Sequence, residues 1–291
     1  MSPRVQGYSY LALAMALVGS TVIASKVVAA GLPPFTATTL RFAVAFPIFL
    51  VLMRLTRTAW PRLGRRDGML LLLQAGAGSV GYTTLLITGL RFTSATNAGV
   101  IIGLLPVVSA AIAILMLGER PQRSLLVAIG LAAAGVVAIA LRPGDGGAHS
   151  LIGDALIFAA VLCEGLFILI NRRLRTAIPP LALSTIMTGL GLLLAAGPAL
   201  LEAPWTVNAT TGSVAAVVYY ALVPTVGGFV LWYAGSARVS GSEASLFTAV
   251  APVSAVLLAA MLLGEPVGLN QVLGIGCVLL AVLSLGLMRK A

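Results

Sequence analysis

A chain of 291 residues that is 59% hydrophobic, 9% charged and has a mean hydropathy of +1.07 carries more apolar surface than a soluble fold can bury. A soluble enzyme or binding domain is therefore excluded. The net charge of +10 does not mark nucleic acid, because its distribution has a simpler explanation, given below. Cys163 and Cys277 lie far apart, without disulfide or metal-ligand spacing. No Gly-x-x-x-x-Gly-Lys-Ser/Thr loop is present to hold ATP, so no cofactor is expected and any transport must run down a gradient.

A helix needs about 20 apolar residues to cross a hydrocarbon core of roughly 30 Å. Ten such stretches are predicted, near 8–30, 35–53, 68–90, 95–116, 122–141, 151–171, 180–201, 213–235, 242–263 and 269–288. The first exceeds the roughly 7–15 apolar residues of a cleaved signal, and it carries Lys26. With the N-terminus in the cytoplasm, the inner segments hold fourteen basic residues, among them Arg54, Arg57, Arg62, Arg65 and Arg66. The outer loops hold two, Arg91 and Arg142. That asymmetry sets both termini inside, with Arg62 inside and His149 outside. A basic run such as Arg62 to Arg66 suits anionic lipid heads.

The second half repeats the first at an offset of 146 residues without a gap. Gly7 answers to Gly153, Pro33-Pro34 to Pro179-Pro180, Gly89 to Gly235, Pro106-Val107 to Pro252-Val253, and Leu117-Gly-Glu to Leu263-Gly-Glu. The expected domains are residues 1–145 and 146–291, each an all-α unit of five spans. Five is odd, so the second unit enters from the opposite side. The expected fold is ten transmembrane helices in two inverted repeats, an arrangement that supports alternating access to a midplane site.

Ionisable and polar residues within spans are costly and mark candidate sites. In the first span, Lys26 answers to Arg172, which favours an anchor whose charge snorkels to the interface. Arg41 in the second answers to Met187 and lies deeper, which ranks it higher for binding. In the third, Tyr82 answers to Gly228; by helical period it shares a face with Ser79, Gly78 and Gly89, where small residues permit close packing or leave room for a ligand. The fourth span opens with Thr96-Asn97, expected to cap its N-terminus, as is Ser242-Glu243 in the ninth. Gly99 and Gly103 have the GxxxG spacing of helix packing. Mid-span Pro106 and Pro252 each free the carbonyl four residues earlier, that of Ile102 or Thr248. They are expected to kink their helices and shape a central cavity, with Thr248 on its wall. Glu164 in the sixth span is either a partner for a substrate ammonium or proton, or a neutral structural group. Trp232 and Tyr233 in the eighth are candidates for the cavity or for the interfacial aromatic belt. Glu119 and Glu265 occupy matching turns on opposite sides, which argues for helix capping.

The tandem five-span units, the segments from Ser94 to Pro106 and from Ser240 to Pro252, and the Leu-Gly-Glu turns resemble the drug/metabolite transporter superfamily in its bacterial EamA-type branch. Lys26 and Arg41 are similar to the basic positions of that family's first two spans. The resemblance implies an inner-membrane exporter of small metabolites, with aromatic and other neutral amino acids the first choice and proton coupling open. Export of other metabolites or cationic drugs, with Glu164 as the cation site, and a channel-like facilitator remain the alternatives.

Overall fold

The computed structural model describes residues 3–117, 130, 131, 134, 151–239, 247 and 250–287. The predicted fifth span, the start of the ninth, Glu119, His149, Glu243 and Thr248 fall outside the described residues. Among the described residues the chain is helical throughout, with no strand. The first hairpin is α1 (Pro3–Ala29) and α2 (Pro34–Leu55). The third predicted span is α3 (Arg65–Gln74), a π-helical stretch π1 (Ala75–Gly81) and α4 (Tyr82–Gly89). Next come α5 (Ala95–Ile102) and α6 (Leu105–Leu117). The second repeat supplies α7 (Leu151–Arg172), α8 (Pro180–Leu201), α9 (Thr211–Tyr220), π2 (Ala221–Gly227), α10 (Gly228–Ser236), α11 (Val250–Leu263) and α12 (Leu269–Leu287). Six described helices are long and apolar enough to cross a bilayer, or seven if the bent α5–α6 pair is one span.

Local chemistry fixes where these helices start and break. Pro34 and Pro180 open α2 and α8, where a missing N–H costs nothing and the fixed φ is already helical. The widened turns π1 and π2 lie at matching positions in the two repeats, 146 residues apart. The Ala-Gly-Ala-Gly-Ser-Val-Gly run of π1 offers little side-chain packing to enforce α-helical register, and Pro224 removes a donor from π2. The Thr225 hydroxyl donates to the Tyr220 carbonyl at 2.7 Å and fills the wide turn. The fourth span is broken rather than gently kinked: α5 and α6 meet at 42° across residues 103–104. Pro106 therefore stands in the first turn of a new helix. The 42° bend of the predicted fourth span thus falls in the turn that leads into Pro106. Pro252 belongs to α11 and is the third of its described residues.

Packing between the repeats is reciprocal. Gly7 on α1 lies against the Gly235 carbonyl of α10, and its repeat equivalent Gly153 on α7 lies against the Gly89 carbonyl of α4. A Cβ on Gly235 would sit 3.0 Å from the Gly7 carbonyl, and one on Gly89 3.0 Å from the Gly153 carbonyl. Gly19 meets Ala251, Ser254 and Ala255 of α11; its equivalent Gly165 meets Val108, Ser109 and Ile112 of α6. In each case a helix of one repeat packs on the other repeat, and the partner contact is reproduced with the repeats exchanged. Between helices in lipid there is no hydrophobic gain, so close backbone approach at small residues supplies the attraction. At the centre, Phe42 and Phe46 of α2 lie over Gly191 and Gly189 of α8. Val22, Leu86, Val100, Ile101, Ile157, Val161 and Val256 form the largest buried cluster.

Three carboxylates then fasten the ends, each by the same geometry across the repeats. Glu202 accepts from Phe35 N at 3.1 Å, Thr36 N at 2.7 Å and the Thr36 hydroxyl at 2.8 Å. Glu265 accepts from Ala95 N at 2.9 Å, Thr96 N at 2.8 Å and the Thr96 hydroxyl at 2.7 Å. Asp67 accepts from Arg175 N at 3.4 Å, Thr176 N at 2.9 Å and the Thr176 hydroxyl at 2.7 Å. The first two satisfy orphan donors at the N-termini of α2 and α5, where a negative charge also meets the helix dipole favourably. Glu265 is thus a cap, but of a helix in the other repeat. Within α5 the Ser94 hydroxyl, not Thr96-Asn97, accepts from Asn97 N at 3.1 Å.

Candidate functional site

Arg41 defines the centre. Its Nε donates to the Thr225 hydroxyl at 3.1 Å and its Nη1 to the Thr83 hydroxyl at 2.9 Å. The guanidinium carbon lies 4.1 Å from the Tyr220 ring centroid and 4.8 Å from that of Phe42. Two donors are thereby fixed and aromatic rings lie against the group, while Nη2 makes no hydrogen bond within the described residues. A guanidinium is a rigid planar fork, so holding two of its nitrogens also aims the third. The holders come from both repeats: Thr83 lies on α4, and Thr225 and Tyr220 belong to π2 and the end of α9. The π2 turn presents Thr225 to Arg41, as a widened turn often does at a working site.

Glu164 and Tyr82 face the same centre. The half-buried Glu164 carboxylate on α7 has no hydrogen-bond or ion-pair partner among the described residues, and Arg41 is the cation whose field it feels. Tyr82 packs against the central apolar cluster. Its hydroxyl neighbours the Thr21 hydroxyl of α1, with Arg41, Glu164 and Tyr220 around it. Close by, the Tyr219 hydroxyl donates to Ser20 of α1 at 2.8 Å. An unpaired carboxylate and a guanidinium with a free edge thus lie within electrostatic range of one phenol, where residues of α1, α2, α4, α7 and π2 come together. Such a set can bind an anionic and a cationic group of one small molecule together.

The other predicted residues divide. Ser79 is half-buried in π1, at the repeat position of Thr225, but shares no hydrogen bond with Arg41 among the described residues. Trp232 is half-buried on α10 and takes no part in holding Arg41. Gly228 and Gly235 beside it approach α1. Of the residues expected to share a face with Tyr82, Gly78 and Gly89 both turn to α7. Gly78 receives the Phe167 ring, Gly81 the Cys163 sulfur and Gly89 Ile157. These glycines serve close packing on α7 rather than leave room for a ligand. The Pro252 ring is buried in α11, while Pro106 is placed only by its backbone. The Lys26 ammonium donates to the Leu90 and Thr93 carbonyls, both at 2.7 Å, in the turn after α4 and within the field of Glu265.

Sequence reasoning missed Thr21, Thr83, Tyr220 and Thr225, and the clamping roles of Glu202 and Asp67. One signal was available. Thr225 is the repeat counterpart of Ser79, so the two could have been weighed as a pair.

Comparison with known proteins agrees with this reading at the level of family. The model of the EamA-like transporter family matches residues 5–141 and again residues 151–287. The chain belongs to the EamA-like transporter family, with the family's unit present twice. It is 36% identical over 282 residues to the uncharacterized transporter YetK of Bacillus subtilis, covering 95% of this chain and 85% of that one. It is 28% identical over 202 residues to a probable terminal-alkyne amino-acid exporter of Streptantibioticus cattleyicolor, covering 69% and 67%. A solved crystal structure matches 99% of this chain and 98% of its own at a TM-score of 0.64 and 20% identity, a likeness of fold. The protein is thus a multi-pass membrane protein of a transporter family.

Proposed function

We propose that this transporter exports neutral amino acids as zwitterions across a bacterial inner membrane, by alternating access between inverted repeats spanning 1–145 and 146–291. Arg41 holds the substrate carboxylate through its free edge, Glu164 holds the ammonium, and Tyr82 lies along the substrate with Thr21 behind it. Ser79 and Trp232 serve the wider cavity, and the bent fourth span at Pro106 shapes it. The observation that carries this reading is the pair formed by the partnerless Glu164 and the partly occupied Arg41 around Tyr82. A cationic drug would need only the carboxylate, and a buried arginine beside it would repel such a cargo. The amino-acid exporter among the relatives points the same way.

The inverted arrangement is supported by helix direction. α1 runs antiparallel to α9–α10, since Gly7 meets Gly235, Ser20 meets Tyr219 and Val27 meets Ser213. α7 runs antiparallel to α3–α4, since Gly153 meets Gly89, Cys163 meets Gly81 and Phe167 meets Gly78. Because α1 and the third span of its own repeat are separated by two reversals, α1 and α7 point in opposite senses. Both termini are cytoplasmic by the distribution of basic residues.

The test is efflux of labelled neutral amino acids from proteoliposomes, with competition by two analogue series. Amines lacking the carboxylate and acids lacking the ammonium should each compete at least about tenfold more weakly than the parent amino acid, the order expected for loss of one charge-assisted hydrogen bond. Competition by the amines at full strength would replace this reading with cation export. Driving the efflux with and without a pH gradient separates proton coupling from a purely substrate-driven carrier.

A further inference from the structure

The end of α2 builds a second site, remote from Arg41. Leu50, Met53, Arg54, Arg57, Thr58 and Trp60 line a cavity of about 490 Å³. Its walls carry two guanidinium groups and no carboxylate. Neither Arg54 nor Arg57 has a side-chain hydrogen bond or ion pair among the described residues. Asp67, the acid next along the chain, is spent on Thr176 and on Arg66 at 3.9 Å. Two like charges on one small cavity repel each other unless an anion lies between them.

The turn is held in this shape. Thr58 N donates to the Met53 carbonyl at 2.9 Å, Arg57 N donates to the Arg54 carbonyl at 3.2 Å, and the Thr56 and Thr58 hydroxyls are 2.8 Å apart. This 6→1 closure puts Arg57 at φ 53°, in the left-handed region. Glycine takes that position in most such helix ends, because it has no Cβ to clash. An arginine here accepts strain that glycine avoids, and it lies one turn beyond Arg54.

The apolar surroundings identify the source of the anion. Leu50 and Met53 form the floor of the cavity. Val51 and Leu55 on the same helix end are 52% and 75% exposed, and Trp60 at the rim is 57% exposed. A free phosphate has no use for that surface. A phospholipid places its phosphate between the guanidinium groups, its glycerol against Thr58 and Trp60, and its acyl chains down the open side of α2. Arginine–phosphate bonding and an indole at headgroup depth are both favoured there. We infer that the Arg54–Arg57–Trp60 pocket is a binding site for the headgroup of an anionic phospholipid of the inner leaflet.

The experiment uses the full chain with Trp205 and Trp232 replaced by Phe, so that Trp60 is the only indole. Quenching of Trp60 is measured in bilayers that mix brominated phosphatidylglycerol or brominated phosphatidylcholine with unlabelled phosphatidylcholine. The expected result is a preference for the anionic lipid of about fivefold or more, the size one basic residue near the membrane surface supplies. The Arg54→Gln/Arg57→Gln pair should reduce that preference to near one, while Arg62→Gln/Arg65→Gln keeps most of it. Inorganic phosphate at millimolar concentration should leave the quenching unchanged. Native mass spectrometry of the detergent-released protein, with its natural tryptophans, gives an independent reading. The wild type should retain an anionic lipid that the Arg54→Gln/Arg57→Gln variant loses. Equal quenching by the two lipids, equal loss in the control pair, displacement by inorganic phosphate, or equal lipid retention in both proteins would overturn the assignment.

Discussion

The roles proposed for Glu164, Arg41 and Tyr82 differ, and their variants should fail differently. Glu164→Gln keeps shape and most hydrogen-bonding capacity but removes the charge. Affinity for amino acids should fall roughly 10- to 100-fold, the range for a hydrogen bond to a charged group, while membrane yield stays normal. An unchanged apparent affinity would make Glu164 a structural group. Arg41→Lys keeps the charge but loses the planar fork that Thr83 and Thr225 hold. It should weaken transport nearly as much as Arg41→Ala, and equal activity of Arg41→Lys and wild type would remove carboxylate recognition from Arg41. Tyr82→Ala should shift preference among amino acids several-fold, because one aromatic contact contributes about 0.5–1.5 kcal/mol beyond area burial. Identical competition profiles for Tyr82→Ala and wild type would exclude Tyr82 from the cavity. Arg41 stood out in the sequence because its repeat counterpart is Met187, so its charge is not a feature that the two repeats share. Its holders were not, because Thr83, Tyr220 and Thr225 acquire a role only once α2, α4 and π2 are brought together.

Among the elements, nearly all the described spans lie within a few residues of where hydropathy put them, from α1 to α12. Apolar length is a direct requirement of the bilayer, so it is written plainly in the sequence. The turns inside the spans are not. The π1 stretch at Ala75–Gly81 is one, and hydropathy does not report a widened turn. The proline signal pointed to a bend in the fourth span, and Pro106 stands at one; that the bend is a break, with α6 starting anew, was not legible. The carboxylate clamps were hidden for another reason: Glu202 and Glu265 cap helices of the other repeat. Glu265→Ala strips Ala95 N, Thr96 N and the Thr96 hydroxyl of their acceptor and removes the anion near Lys26. A cost of about 1–3 kcal/mol is expected for leaving buried donors unpaired, seen as a lower thermal midpoint in detergent. Glu265→Gln should recover part of it, because the amide oxygen still accepts. A midpoint equal to wild type for Glu265→Ala would show that the clamp contributes nothing to stability.

For the whole molecule, the reciprocal glycine contacts make a strong statement. Gly89→Ala and Gly235→Ala should each destabilise, since each new Cβ would press on a backbone carbonyl of the other repeat. Gly68→Ala, at a half-buried site of α3 with nothing within 4 Å, should be neutral or slightly stabilising by helix propensity. Equal midpoints for all three would deny the close approach. Reciprocal packing is also what a carrier needs, because exchanging the two arrangements of the repeats exchanges the open side. The central claim is therefore that one shared site is exposed alternately, and counterflow measures this most directly. Proteoliposomes loaded with an unlabelled neutral amino acid should accumulate the labelled form transiently above its external concentration, with saturation, and Glu164→Gln should abolish the overshoot. Flux that rises linearly with concentration and shows no overshoot would contradict alternating access and leave a channel-like facilitator in its place.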